Sequence, residues 1–194
     1  MNRLIIIVLL AVLVLSCVPT RQVQQAVSGQ ENGEQVAAAE LTFNFSRQTG
    51  PASNQYAVWI EDAQGNYVKS LYASRWTANG GYSRRPTSIP LWIKQSGRPN
   101  MTSAQVDAVS GATPGNGPVM HIWDGTDTNG AAVPDGNYVM ILEGTLRWEN
   151  QVYYRAPIAL GQSEATAQVS VEYVGGGAAA ERSMISGVNV RVFR

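Results

Sequence analysis

From residue 41 to the C-terminus, apolar and polar residues alternate in short runs separated by turn-forming residues. That is the period of strands with one face in a core and the other in water. The pattern predicts strands at residues 41–46, 56–61, 67–72, 119–123, 138–147, 152–158, 166–173 and 187–193. Residues 56–60 and 67–71 are joined by six residues ending in Gly65-Asn66, where positive φ comes at low steric cost, so the two runs read as a hairpin. Eight strands with short turns predict an all-β fold, an immunoglobulin-like antiparallel β-sandwich.

One stretch breaks the alternation. Residues 74–118 hold five of the nine prolines, Pro86, Pro90, Pro99, Pro114 and Pro118, which argues against a central strand through most of this stretch. Within it, residues 88–95 are expected to form a short helix, with Ser88 as N-cap, Pro90 in the first turn and Gly97 at the end. The rest reads as one long Pro-rich, exposed loop, the kind of segment in which a rigid scaffold carries function.

The N-terminus follows a third pattern. Residues 4–16 are thirteen consecutive positions of which twelve are apolar, preceded by Arg3 and too short to span a bilayer comfortably. This is the hydrophobic region of a secretion signal. It ends Val14-Leu15-Ser16-Cys17, which resembles the bacterial lipobox, in which the cysteine is acylated and becomes the first residue of the mature protein. Two or three acyl chains on Cys17 would anchor the chain stably to a membrane. Val18 stands where an inner-membrane retention signal has Asp, so the resemblance implies a cell-envelope lipoprotein facing the periplasm or the cell exterior, with the outer membrane favoured. Residues 18–40 are rich in Gln, Ala, Glu and Gly without an apolar period and read as a flexible tether. The expected organisation is a lipoprotein signal peptide at 1–16, the lipidated Cys17 with its tether at 17–40, and one β domain at 41–194.

Composition narrows the chemistry. Fourteen basic residues balance fourteen acidic ones, so no net positive charge is available to hold a phosphate backbone, and no nucleic-acid partner is expected. A single cysteine and a single histidine exclude an intrachain disulfide and the four-ligand zinc sites. His121 alternates with Val119 and Trp123 along one strand, so it reads as a packed or edge residue, and no nucleophile pairs with it in sequence.

Two motifs remain. The first runs Trp123-Asp124-Gly125-Thr126-Asp127-Thr128-Asn129-Gly130, then Val133-Pro134-Asp135-Gly136-Asn137-Tyr138. An EF-hand frame puts glycines at positions one and twelve, where carboxylates are needed, so its Asx residues are expected to cap turns, with a nonstandard ion site at Asp124, Asp127 and Asn129 as the alternative, and no metal site is assigned. The stretch resembles the W-D-G-x-D-x-x-G-x-x-V-P-x-G-x-Y signature of the immunoglobulin-like domain of flagellar hook-capping proteins, where it is structural. The second motif is Asp107-Ala108-Val109-Ser110-Gly111-Ala112-Thr113, and a chance match in this chain is on the order of 10⁻⁴. It resembles the D-x-x-S-G-A-T flavinylation sequence of FMN-binding electron-transfer subunits, in which the last Thr carries FMN through a phosphoester.

With Tyr56-Ala57-Val58-Trp59-Ile60-Glu61-Asp62, Gly65, Tyr67-Val68-Lys69, Arg84-Arg85-Pro86 and Leu91-Trp92, both motifs together resemble a family of predicted periplasmic proteins of unknown function found beside flavin transferases. The resemblance covers about residues 41–194. It implies an extracytoplasmic electron carrier with FMN covalently on Thr113, Ser110, Gly111 and Asp107 presenting the loop, and a flavin transferase and a membrane redox partner. It implies no enzyme activity of its own. Two readings stand beside it: Ser110 and Thr113 satisfying turn hydrogen bonds in a cofactor-free structural or interaction module, and a site for another ligand.

Overall fold

The computed structural model describes residues 37–176 and 178–194. Cys17, the secretion signal and most of the tether lie outside the described residues. Among the described residues ten strands form two sheets: β1 (Ala39–Phe45), β2 (Gln55–Asp62), β3 (Tyr67–Ser74), β4 (Ser110–Gly111), β5 (Gly117–Trp123), β6 (Gly136–Arg147), β7 (Asn150–Leu160), β8 (Ala165–Thr166), β9 (Ser170–Val174) and β10 (Ile185–Val192). The four-stranded sheet has the order β5-β1-β10-β8, and the six-stranded sheet β4-β3-β2-β6-β7-β9. The fold is all-β and sandwich-like, as the alternation predicts. One ladder departs from the expected antiparallel pairing: β4 runs parallel to β3, with Ala73 opposite Ser110 and Ser74 opposite Gly111.

Alternation decides what lies between the sheets. Leu41, Phe43 and Phe45 of β1 meet Tyr56, Val58 and Ile60 of β2, Met140 and Leu142 of β6, and Val190 and Val192 of β10 in one apolar core. Strand β1 starts two residues earlier than its pattern suggests, because Ala39 is fully buried and pairs with both Trp123 and Val192.

The predicted strand at 166–173 is two strands in different sheets. β8 pairs with β10 and β9 pairs with β7, so the chain crosses between sheets at residues 167–169. Ala167 and Val169 still pack on the core during the crossing. Alternation reports which side chains are buried and says nothing of which backbone partner is taken.

The Pro-rich excursion is also different from expectation. It is a layer of short helical segments: a wide turn over Thr77–Gly81, α1 (Tyr82–Arg84), α2 (Pro90–Gln95), a single tight turn over Arg98–Asn100 and α3 (Ser103–Val109); a fourth helix, α4 (Ala179–Arg182), precedes β10. Ala78, Ile89, Trp92 and Val106 from this layer cover Ala57, Trp59, Ala73 and Ile141 on the outer face of the six-stranded sheet. A strand buried on both faces reads as a continuous apolar run, and Tyr56-Ala57-Val58-Trp59-Ile60 is one.

Ser88 is not the N-cap of α2. Its hydroxyl is buried 2.5 Å from the Thr77 hydroxyl, and Ile89, in the left-handed region at φ 42°, precedes the helix. The first free amides of α2 donate to strand β6 instead: Leu91 N to Glu143 Oε1 at 3.0 Å and Trp92 N to Glu143 Oε2 at 2.7 Å. A carboxyl acceptor from the sheet takes the place of a local hydroxyl cap.

Candidate functional site

The Asp107–Thr113 motif begins on a helix. Thr102 opens α3 with a reciprocal cap: its hydroxyl accepts from Gln105 N, while its own N–H donates to Gln105 Oε1 at 2.8 Å. Val106 faces the sheet and Asp107 lies exposed on the outside of the helix. At Ser110 the backbone turns extended, ending α3, and Ser110–Gly111 joins the end of β3 as an edge strand.

Tyr72 sets the next step. A Cβ on Gly111 would lie 2.4 Å from the Tyr72 ring, so no larger residue fits without displacing that ring. The Tyr72 hydroxyl donates to the carbonyls of Gly111 at 3.1 Å and Ala112 at 2.9 Å. Beyond this clamp Ala112 is exposed and Thr113 half-buried. The Thr113 hydroxyl donates to Asn54 O across 3.4 Å, at the weak end of hydrogen-bond geometry. Ser110, Gly111 and Thr113 therefore come together at one edge of the sheet, pinned by Tyr72 rather than freely exposed, while Asp107 stands apart on α3.

An aromatic cluster supports the clamp from inside. Tyr72 stacks on Tyr56 at 4.4 Å between ring centroids, and His121 lies 5.0 Å from Tyr72 with its Nε2 3.3 Å from the Tyr56 hydroxyl. Burial pulls the His121 imidazole down to about 4 and pushes the Tyr56 phenol upward. His121 is thus a neutral packed ring at physiological pH.

In the other motif the carboxylates cap turns. Asp124 Oδ1 accepts from Thr126 N at 3.1 Å and Thr126 Oγ1 at 2.7 Å, and Lys69 Nζ donates to it at 2.9 Å. Burial raises the Asp124 carboxyl, but the Thr126 hydroxyl and Lys69 outweigh it and hold it at about 2. Asp127 Oδ1 accepts from Asn129 N and Ala131 N at 2.8 and 2.9 Å. Trp123 Nε1 donates to Thr126 O and Tyr138 OH to Pro134 O, closing the loop on itself. Lys69 already supplies the positive charge that Asp124 faces.

Two features escaped the sequence reading. Glu143 is fully buried beneath α2, and burial pushes its carboxyl up to about 7 against the lowering effect of the Trp92 and Leu91 amides. The second was legible in the charge pattern. Between Asp62 and Asp107 there is no acidic residue, while Lys69, Arg75, Arg84, Arg85, Lys94 and Arg98 are all basic. Overall neutrality hides this local excess, most of which lies in the helical layer that leads into the motif.

The family described as predicted periplasmic protein (DUF2271) matches residues 38–175, which takes in both motifs and the whole helical layer. No curated protein and no solved structure matches the chain significantly.

Proposed function

The chain belongs to the DUF2271 family of predicted periplasmic proteins, and from that premise we propose that it is an extracytoplasmic carrier of covalent FMN attached at Thr113. The observation that carries this reading is the state of the motif's end. Tyr72 holds Gly111 and Ala112 in place, yet the Thr113 hydroxyl is engaged by one long bond to Asn54 O at the sheet edge. Exposed Ala112 precedes Thr113, and only the half-buried Pro114 separates it from exposed Gly115.

The attachment balances as follows. Thr113 Oγ1 attacks the FMN-side phosphorus of FAD, the bond from that phosphorus to the AMP moiety breaks, and AMP leaves. The hydroxyl proton passes to the transferase or to water, and a threonyl phosphodiester with one negative charge remains. Metal ions on the transferase would neutralise the charge that develops. When bound, the flavin supplies one- and two-electron redox chemistry, and this chain supplies placement and electrostatics. It is a carrier rather than a catalyst of its own, anchored through lipidated Cys17 and exchanging electrons with a membrane redox partner.

Coexpression with a flavin transferase, FAD and Mg²⁺, followed by peptide mass spectrometry, tests the reading. An FMN-sized increment is expected on the peptide that contains Ser110 and Thr113, and it should vanish in Thr113→Val. An increment on Ser110 would keep the function and move the site. An unmodified peptide, under conditions that flavinylate a known acceptor, would favour the second reading, a cofactor-free interaction module. That reading draws support from Val171, Tyr173 and Val174, exposed apolar residues on the edge strand β9.

A further inference from the structure

The geometry points to the pocket beside Trp76 as the seat of a planar aromatic group carrying a phosphate; resting on the reading above, that group is the flavin tethered at Thr113. Position makes the first argument. Because Ser74 and Gly111 are paired in parallel, Arg75-Trp76 and Ala112-Thr113 leave the sheet at the same end. Two consecutive residues, Asn54 and Gln55 at the start of β2, tie these exits together. Asn54 O accepts from the Thr113 hydroxyl, and Gln55 Oε1 accepts from the Thr77 hydroxyl at 2.9 Å, one residue after Trp76.

Shape makes the second. A cavity of about 430 Å³ opens here, lined by Arg75, Trp76, Asn79, Gly80, Gly81 and Arg84, within the range of small-molecule pockets. The chain bends around it at Thr77–Gly81, where Asn79 and Gly80 leave helical geometry and kink the backbone. Gly80 takes φ 98°, and a Cβ on Gly81 would lie 2.5 Å from the Trp76 indole. The Asn79 amide donates to Arg75 O at 3.1 Å and holds the turn.

Chemistry makes the third. Trp76 leaves 43% of its surface exposed, and its indole borders the cavity, where the uncovered part of the ring can stack on a planar ligand. Exposed Arg75 and Arg84 line the same cavity, while the Arg85 guanidinium, which is not part of its lining, already stacks over the Trp76 ring 4.5 Å from the centroid. A guanidinium fork matches a phosphate. No acidic residue occurs from residue 63 to 106, and among the described residues the ion pairs are made by Lys69, Arg147, Arg155 and Arg191 rather than by these arginines. Such a wall repels cations and neutral sugars gain little from it, whereas a ring with an anionic tail satisfies both the indole and the arginines.

The consequence is photophysical as well as structural, since an indole in contact with an isoalloxazine ring quenches flavin emission by electron transfer. The mature chain is coexpressed with a flavin transferase, adduct yield is read by intact mass, and emission per flavin is compared with free FMN. The wild-type adduct should emit at least fivefold less than free FMN. Trp76→Leu should restore most of that emission, Trp76→Phe part of it, and Arg84→Gln should make the quenching sensitive to added salt. Circular dichroism and the melting temperature of each variant separate loss of docking from loss of fold, and Arg84, being exposed, provides a variant that does not touch packing. An adduct on Thr113 that emits like free FMN, or whose emission ignores Trp76→Leu, overturns the pocket and leaves the attachment intact. Absence of any adduct in the wild type overturns the attachment and the pocket together.

Discussion

The two faces of the six-stranded sheet are covered in different ways. The inner face is apolar: Tyr56, Val58, Ile60, Met140 and Leu142 meet apolar side chains of the opposing sheet. The outer face mixes Ala57, Trp59 and Ile141 with polar side chains that hold the helical layer down. Trp92 Nε1 donates to Ser70 Oγ at 2.7 Å, Gln95 Nε2 to Glu61 Oε1 at 2.9 Å, Ile89 N to Thr145 Oγ1 at 2.9 Å, and Gln151 Nε2 to Thr87 O at 2.7 Å. Apolar contact is non-directional and tolerates many registers, whereas each of these bonds requires one position of one partner. The inner face builds a scaffold, and the outer face aims a segment. The segment it aims ends in the Asp107–Thr113 motif.

The largest effects should come from removing a large side chain on either side of the sheet, and their distribution should separate the two. Trp92→Ala should cost about 4 kcal/mol and Leu142→Ala about 3 kcal/mol. Hydrogen exchange should show Trp92→Ala opening residues 77–109 while the sheets stay protected, and Leu142→Ala lowering protection throughout. Uniform loss in both variants would break the distinction between scaffold and layer.

Acidity offers the next handle. Glu143 is pushed from 4.5 up to about 7 in the folded protein by burial, against the amides of Trp92 and Leu91. Between those values the folded chain holds a proton that the unfolded chain has released. Stability therefore falls as pH rises from 4.5 towards 7, by at most about 1.4 kcal/mol per pH unit from this group, and levels off above. Buried His121, held at about 4 against 6.5 when unfolded, works the other way: between those values the unfolded chain binds the extra proton, so its contribution rises with pH up to about 6.5. Glu143 is therefore read from the difference between wild type and Glu143→Gln, and that difference in urea midpoint should fall from pH 5 to pH 7 and level off by pH 8; a flat difference would mean that the two amides hold Glu143 ionised.

Smaller effects come from the loops. Asp124→Ala should cost about 1–2 kcal/mol, since it removes the cap on Thr126 N and leaves Lys69 without this carboxylate. With the Asp124 carboxyl held at about 2, its contribution is complete above pH 4 and is lost as pH falls towards 2, an acid limb that Asp124→Asn should flatten. Smallest of all, Thr113→Val should change stability by less than about 0.5 kcal/mol, because only a long bond is lost. A drop as large as that of Asp124→Ala would show that Thr113 is a structural cap, and would weaken the case for flavin attachment.

Both motifs were visible as strings of residues, yet their physical states were not. Asp124 and Asp127 cap turns two to four residues away, a role that follows from local chain chemistry, although Asp124 also pairs with Lys69, 55 residues distant. The Gly111 requirement and the Thr113 environment depend on Tyr72 and Asn54, about 40 and 59 residues distant in sequence. The motif therefore reads as a freely exposed loop until its neighbours are placed. Ser88 illustrates the same limit: it is a good local cap, but Glu143 from another strand reaches the helix amides first.

From the sequence alone came the strands, the faces they bury, the turns at Asx-Gly pairs and the break in alternation at residue 74, because each depends on residues within a few positions of one another. Tertiary structure decided the rest. It split the run at 166–173 between two sheets, laid β4 parallel to β3, folded the Pro-rich excursion into a helical cover, and brought the basic pocket beside Trp76 to the end of the sheet from which Thr113 also departs. The physical reason is that a side-chain period records burial, which any apolar neighbour satisfies, whereas backbone pairing and buried polar bonds are settled only when a particular distant partner arrives.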